Sequence, residues 1–222
     1  AAGGTINMAA SNSGAYNING GAGNDILTGG SGNDVFIVAA TTEADGDTIN
    51  GGAGNDTINL STGTHTLNND ARLSNVETIV ANSSGSTLIL TNQAEGITIS
   101  GGAGTDNLTG GSGADVITGG AGNDTFAGGA GNDTFNIDSG TDTVSDLGTG
   151  SDIFVVSSGA TLNATPITSF TATFASRNDG TANLTAATGG GVIDLSNVAS
   201  GAGSYTITVG AGTDTVTGSS GN

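Results

Sequence analysis

The sequence predicts an all-β solenoid, a chain wound into short strands and tight turns around a thin interior. Three observations carry that expectation. A nine-residue unit opening Gly-Gly-x-Gly-x-Asp occurs seven times, at 20–25, 29–34, 51–56, 101–106, 110–115, 119–124 and 128–133, and a fixed period of this kind marks a repeat architecture. Hydrophobic residues make up 34% of 222 positions, with six Phe, two Tyr and no Trp, too little to fill a thick globular core. Forty-two glycines, a single proline and abundant Thr, Ser and Asn favour short strands joined by turns and disfavour helices.

Each motif is followed two residues later by an apolar side chain: Leu27, Phe36, Ile58, Leu108, Ile117, Phe126 and Phe135. This is the one side chain per unit directed at a core. The glycines at the second and fourth positions free the backbone to turn tightly with its carbonyls facing inward. They are Gly21 and Gly23, Gly30 and Gly32, Gly52 and Gly54, Gly102 and Gly104, Gly111 and Gly113, Gly120 and Gly122, and Gly129 and Gly131. Asp25, Asp34, Asp56, Asp106, Asp115, Asp124 and Asp133 close the turns with a hard anionic oxygen. Carboxylate and carbonyl oxygens together are the donor set that Ca²⁺ prefers.

Outside the perfect copies, the same phase recovers degenerate units. Residues 42–50 keep Asp47 and Ile49 after an insertion at 38–41; 137–145 keep Gly140, Asp142 and Val144; 147–155 keep Gly148, Gly150, Asp152 and Phe154 after an inserted Asp146. Residues 60–68 also fit, with His65 at the acidic position, read as a solvated turn residue in a decayed repeat. A nitrogen donor suits Ca²⁺ poorly, so the first array is expected to stop there.

In these residues the chain resembles the RTX, or haemolysin-type, calcium-binding repeat family. The resemblance implies a right-handed parallel β-roll in which two nonapeptides make one coil, unit n stacks on unit n+2, and the ion sits between stacked turns. On that register Asp25 pairs with Asp47, Asp34 with Asp56, Asp106 with Asp124, Asp115 with Asp133, Asp124 with Asp142, and Asp133 with Asp152. Six interturn calcium sites are thereby implied. The chain divides into a first array at 1–68, metal-free solenoid coils at 69–100, a second array at 101–155, and Thr- and Ala-rich coils at 156–222. In the last of these, 209–217 echoes a repeat through Gly210, Gly212, Asp214 and Val216. The sequence stops inside the next unit, and it is read as part of a longer protein. Period-two strand signals at 76–80, 87–91, 97–99, 170–174, 192–195 and 205–209 fit further coils without metal.

The charge balance is extreme: no Lys, two Arg and twenty Asp or Glu give a formal net charge of −18. That excludes nucleic acid as a partner. Acidity alone makes a solvated surface, but acidic residues at one fixed repeat position point to divalent cations. Six bound Ca²⁺ ions would cancel about two thirds of the charge. Without them, self-repulsion and glycine entropy are expected to leave the repeats unfolded. Cysteine is absent, which removes disulfides and thiolate sites. No stretch has the length of a membrane span, and residues 1–4 show no secretory leader. Calcium dependence implies folding outside the cell, and the family resemblance implies type I secretion.

Catalytic constellations are missing. One His excludes His-Glu-x-x-His chemistry, no Gly-x-Ser-x-Gly elbow occurs, and Cys and Lys nucleophiles are impossible. The chain is read as no enzyme. Long Thr, Ala, Gly, Ser and Asn-rich strands between calcium arrays resemble the surface-layer proteins of Gram-negative bacteria and the large RTX adhesins. The expected function is a calcium-dependent, self-assembling extracellular structural protein at the cell surface. Its expected partners are copies of itself, with a cell-surface glycan as a second candidate. The alternative is a calcium-folded secretion module of a larger exoprotein such as an adhesin, protease or lipase.

Overall fold

A computed structural model describes residues 3–11, 14–38, 46–61, 63–67, 71–81 and 84–219. Within them the chain is all-β: twenty-four short strands and no helix. The strand pairings are parallel throughout, and successive strands go to different sheets, so the chain coils. One wall is a nine-stranded sheet running from Asn17–Asn19 to Arg177–Asn178. The facing wall is divided. A four-stranded sheet runs from Thr5–Asn7 to Leu73–Ser74, and an eight-stranded sheet from Gly63–Thr66 to Ser204–Thr208. This is a parallel β-solenoid, as the repeat period predicts.

The register shows two nonapeptides per coil. In the second array Leu108 pairs with Phe126, and Ile117 with Phe135, each eighteen residues on. In the first array Leu27 pairs with Ile49 and Phe36 with Ile58, twenty-two residues on. The difference is a four-residue insertion; Val38, expected as its first residue, is instead in register with Leu60, so the extra residues follow it, and 39–45 lie outside the described residues. Beyond the second array the coils widen again. A three-stranded third wall, Ser169–Thr171, Val192–Asp194 and Thr215–Thr217, is added with a spacing of twenty-three residues.

All seven apolar repeat residues are buried. They stack in columns along the coils, Ile79, Ile99, Ile117, Phe135 and Phe154 on one wall and Leu88, Leu108, Phe126 and Val144 on the other. Across the interior the rings of Phe126 and Phe135 stack at 6.4 Å and 17°. Full burial of such side chains stabilises by about 1.5–3 kcal/mol each. One or two apolar residues per strand of the arrays, the second being Val38, Leu60, Ile137 or Val156 where there is one, therefore suffice for a core this thin.

His65 departs from expectation. It is not a solvated turn residue at an acidic position but sits fully buried in the strand Gly63–Thr66, in register with Leu88. Its Nε2 lies 2.9 Å from the Ser61 carbonyl oxygen. The chain leaves the nine-residue phase after Leu60, and His65 takes the core-facing place that an apolar residue holds elsewhere.

Close stacking makes particular glycines obligatory. A Cβ on Gly119 would stand 2.1 Å from Asp124 Oδ2 and 2.7 Å from Phe126 Cζ, whereas one on Gly189 would meet nothing within 4 Å. Overpacking of that kind costs about 1–3 kcal/mol, or several degrees in a chain of this size. Gly119→Ala is expected to lower the calcium-loaded melting temperature by that amount. Gly189→Ala is expected to leave it unchanged or slightly raised, and equal melting of the two variants would contradict the packing.

Candidate metal centre

Each motif turn joins a strand of one wall to a strand of another, and its Asp is the last residue before the second strand. The backbone N–H at that point lies on the edge of the coil and needs an acceptor. The next coil supplies it. Asp106 N–H donates to Asp124 Oδ1 at 2.8 Å, and Asp124 N–H donates to Asp142 Oδ1 at 2.9 Å. The same rung joins Asp25 to Asp47 at 2.8 Å, Asp34 to Asp56 at 2.7 Å, Asp115 to Asp133 at 2.9 Å and Asp133 to Asp152 at 3.0 Å. The six expected Asp pairs are thus the six neighbours the fold brings together, and all ten aspartates are buried.

The second carboxylate oxygen has two fates. In Asp34, Asp115 and Asp152, Oδ2 accepts the N–H of Gly30, Gly111 or Gly148 within its own turn, at 2.6, 2.8 and 2.7 Å. In Asp25, Asp56, Asp106, Asp124, Asp133 and Asp142, Oδ2 is buried with no hydrogen-bond partner. The backbone tracks this division among the seven perfect motifs. Gly21 and Gly23, Gly52 and Gly54, Gly102 and Gly104, Gly120 and Gly122, and Gly129 and Gly131 adopt left-handed φ, and their turns leave the carboxylate oxygen unpaired. Gly30, Gly32, Gly111 and Gly113 do not, and their turns fold an N–H onto it.

An unpaired buried carboxylate oxygen is costly and calls for a partner. Its surroundings define which one. At Gly51 and Gly101 the vacant side of the motif's first glycine faces both that oxygen and a carbonyl of the next coil: from a Cβ on Gly101, Asp106 Oδ2 would be 2.6 Å away and the Gly119 carbonyl oxygen 2.7 Å. The donors are hard oxygens, as Ca²⁺ requires. Among the described residues no three His, Cys, Asp or Glu side chains converge in one group, so the coordination shell must be completed by backbone carbonyls. The arrangement fits calcium, with one Asp per turn and the glycine-rich backbone holding the ion.

Burial raises the pKa of Asp56, Asp106, Asp115, Asp124 and Asp152. Burial, opposed by the backbone N–H bond and reinforced by neighbouring carboxylates, pushes Asp133 up to about 7 and Asp142 to about 6. The Arg177 guanidinium is paired instead with Asp179 at 2.5 Å.

The nonapeptide phase misses several residues that serve the turns. Glu77 takes the rung below Asp56, its Oε2 accepting the Asp56 N–H at 2.7 Å. Asp146, counted as an insertion, accepts the N–H groups of Gly128 and Gly129 at 3.0 and 2.8 Å. Asp214, which the phase does find in the echo at 209–217, serves a turn in the same way, its Oδ1 accepting the Gly191 N–H at 2.9 Å. The Asn before the motif Asp builds a parallel ladder, with Asn33, Asn123 and Asn132 each accepting a backbone N–H from the next coil. Its recurrence at one repeat position was the available signal.

A solenoid whose coils are closed by such turns defines a class of stacked-turn repeat proteins, and comparison with known families names it. The model of the RTX calcium-binding nonapeptide repeat (4 copies) matches residues 12–39, 41–64, 100–135, 109–144 and 198–222, more than half of the chain. The chain belongs to that family. No curated protein and no solved structure matches it.

Two outcomes follow for calcium titrations. Asp124→Asn is expected to weaken binding more than Asp115→Asn, because Asp124 stands between two Asp rungs and carries an unpaired oxygen while Asp115 is capped by its own turn. Equal effects would show that capping does not separate the turns. The second outcome concerns pH. Raised folded-state pKa values stabilise the metal-free fold below the ordinary carboxylate range, and that contribution is lost as pH rises through about 6–7. Calcium needs the carboxylates ionised, so affinity is expected to fall markedly from pH 8 to pH 5.5, and calcium-free stability to change in the opposite sense. Isothermal titration and chelated melts at the two pH values check both signs.

Proposed function

We propose that the chain is a calcium-dependent, self-assembling structural protein of the cell exterior, a subunit or part of a surface layer, filament or matrix. One observation carries the calcium part of the reading: six buried aspartates of the stacked turns present an unpaired oxygen beside a glycine-rich backbone. A chain of formal charge −18 with its carboxylates stacked coil upon coil repels both itself and its copies. Calcium outside the cell removes that repulsion and orders the coils in one step. Secretion follows from the same logic, since weak oxygen sites fill where free Ca²⁺ is plentiful. Apolar residues standing on the outer surface, among them Ile26, Ile37, Val116 and Val192, support contact between copies once charge is cancelled.

With millimolar Ca²⁺ the purified chain is expected to scatter light and to form regular sheets or filaments in negative stain, and chelation is expected to disperse them. A calcium-loaded chain that stays monomeric at all accessible concentrations would overturn self-assembly and favour a calcium-folded module of a larger exoprotein.

A further inference from the structure

The coil following the first array contains no Gly-Gly-x-Gly-x-Asp unit, yet it places oxygens where the motif turns place theirs. In the motif turns at 29–34, 101–106 and 110–115 the vacant side of the first glycine is shared by the carboxylate of its own turn and a carbonyl of the next coil. From a Cβ on Gly29, Asp34 Oδ2 would be 2.4 Å away and the Gly51 carbonyl oxygen 1.9 Å; from one on Gly110, Asp115 Oδ2 would be 2.3 Å away and the Gly128 oxygen 2.4 Å. At Gly51 the same two places are held by Asp56 Oδ2 at 2.4 Å and the carbonyl oxygen of Asn75 at 1.8 Å. Asp56 is 1% exposed, and this oxygen has no hydrogen-bond partner.

The connection that presents Asn75 is half as long as a motif turn. Residues 75–77 join the strands Leu73–Ser74 and Thr78–Val80, where six residues, 51–56, join Thr48–Asn50 to Thr57–Leu60. Asn75 makes the short turn possible at φ 52°, the one non-glycine left-handed residue among those described. Glu77 then stands where the motif has Asp, and its longer side chain reaches back so that Oε2 takes the Asp56 N–H at 2.7 Å.

We propose that Asp56, the Asn75 carbonyl and Glu77 form a further calcium site, in a coil to which the sequence assigns no metal. It rests on the calcium reading of the motif turns and extends the first array by one step. The chemistry is the same: a carboxylate and a backbone carbonyl on one side of a glycine, with a second carboxylate held at the backbone N–H of Asp56, all of them hard oxygen donors. Glu77 is here a ligand as well as an acceptor for the Asp56 N–H.

Glu77→Gln separates those two roles, because the amide oxygen still accepts the N–H while the charge is lost. Bound Ca²⁺ per chain is counted by equilibrium dialysis and isothermal titration for the wild type, Glu77→Gln, Asn75→Gly and Asp124→Asn, with circular dichroism of each loaded protein. Glu77→Gln is expected to hold one ion fewer with the second array filled. Asn75→Gly keeps the carbonyl and the left-handed turn, and is expected to hold the full number. If Glu77→Gln retains every ion at unchanged affinity while Asp124→Asn loses binding, Glu77 only caps the ladder and the proposal fails. Loss of the ion in Asn75→Gly with Glu77 intact would overturn it equally. A wild type that binds no calcium would overturn this site and the motif sites together.

Discussion

The structure depends on one repeated contact, the backbone N–H of each ladder residue held by a carboxylate oxygen from the next coil. That bond fixes the distance and register between coils, and it also draws a charged group into a place shielded from water. Desolvation and neighbouring carboxylates oppose ionisation there, as the raised pKa values of Asp133 and Asp142 show. In the arrays the apolar core is one or two side chains per strand and cannot outweigh much stacked negative charge. Stability and cation chemistry are therefore the same problem in this molecule: what makes the coils regular is also what makes them need a counter-charge.

The Asp rungs and the strand order of the arrays were legible because they follow from the period together with the two units per coil that the family resemblance implies. Once two units make a coil, Asp106 must meet Asp124 and Phe126 must lie beneath Leu108. Departures from the period were not legible. Glu77 stands on the ladder at the end of a turn of three residues, so counting in nines passes it by. Asp146 falls between units and reads as an insertion, although its carboxylate holds two turn amides. His65 was placed by extending the phase past Leu60, where the chain had already left it. The third wall at 169–217 was equally hidden, since alternation announces a strand without saying which wall it joins.

The division among glycine turns was also beyond the sequence. The units at 29–34 and 110–115 contain the motif in full, yet their glycines avoid the left-handed conformation and their carboxylates are capped within the turn. Identical motif letters thus support two hydrogen-bonding states. The difference lies in the direction of a few peptide groups, which the glycines permit and the letters do not record.

The change of sheet on one side of the solenoid has a mechanical consequence. The nine-stranded wall runs unbroken from Asn17–Asn19 to Arg177–Asn178, while the opposite wall ends one sheet at Leu73–Ser74 and starts another at Gly63–Thr66. In a structure held by nearest-neighbour contacts, disorder advances coil by coil from a weak boundary. Tension along the axis is borne by the unbroken wall, and the seam between the two shorter sheets is where fraying inside the molecule begins.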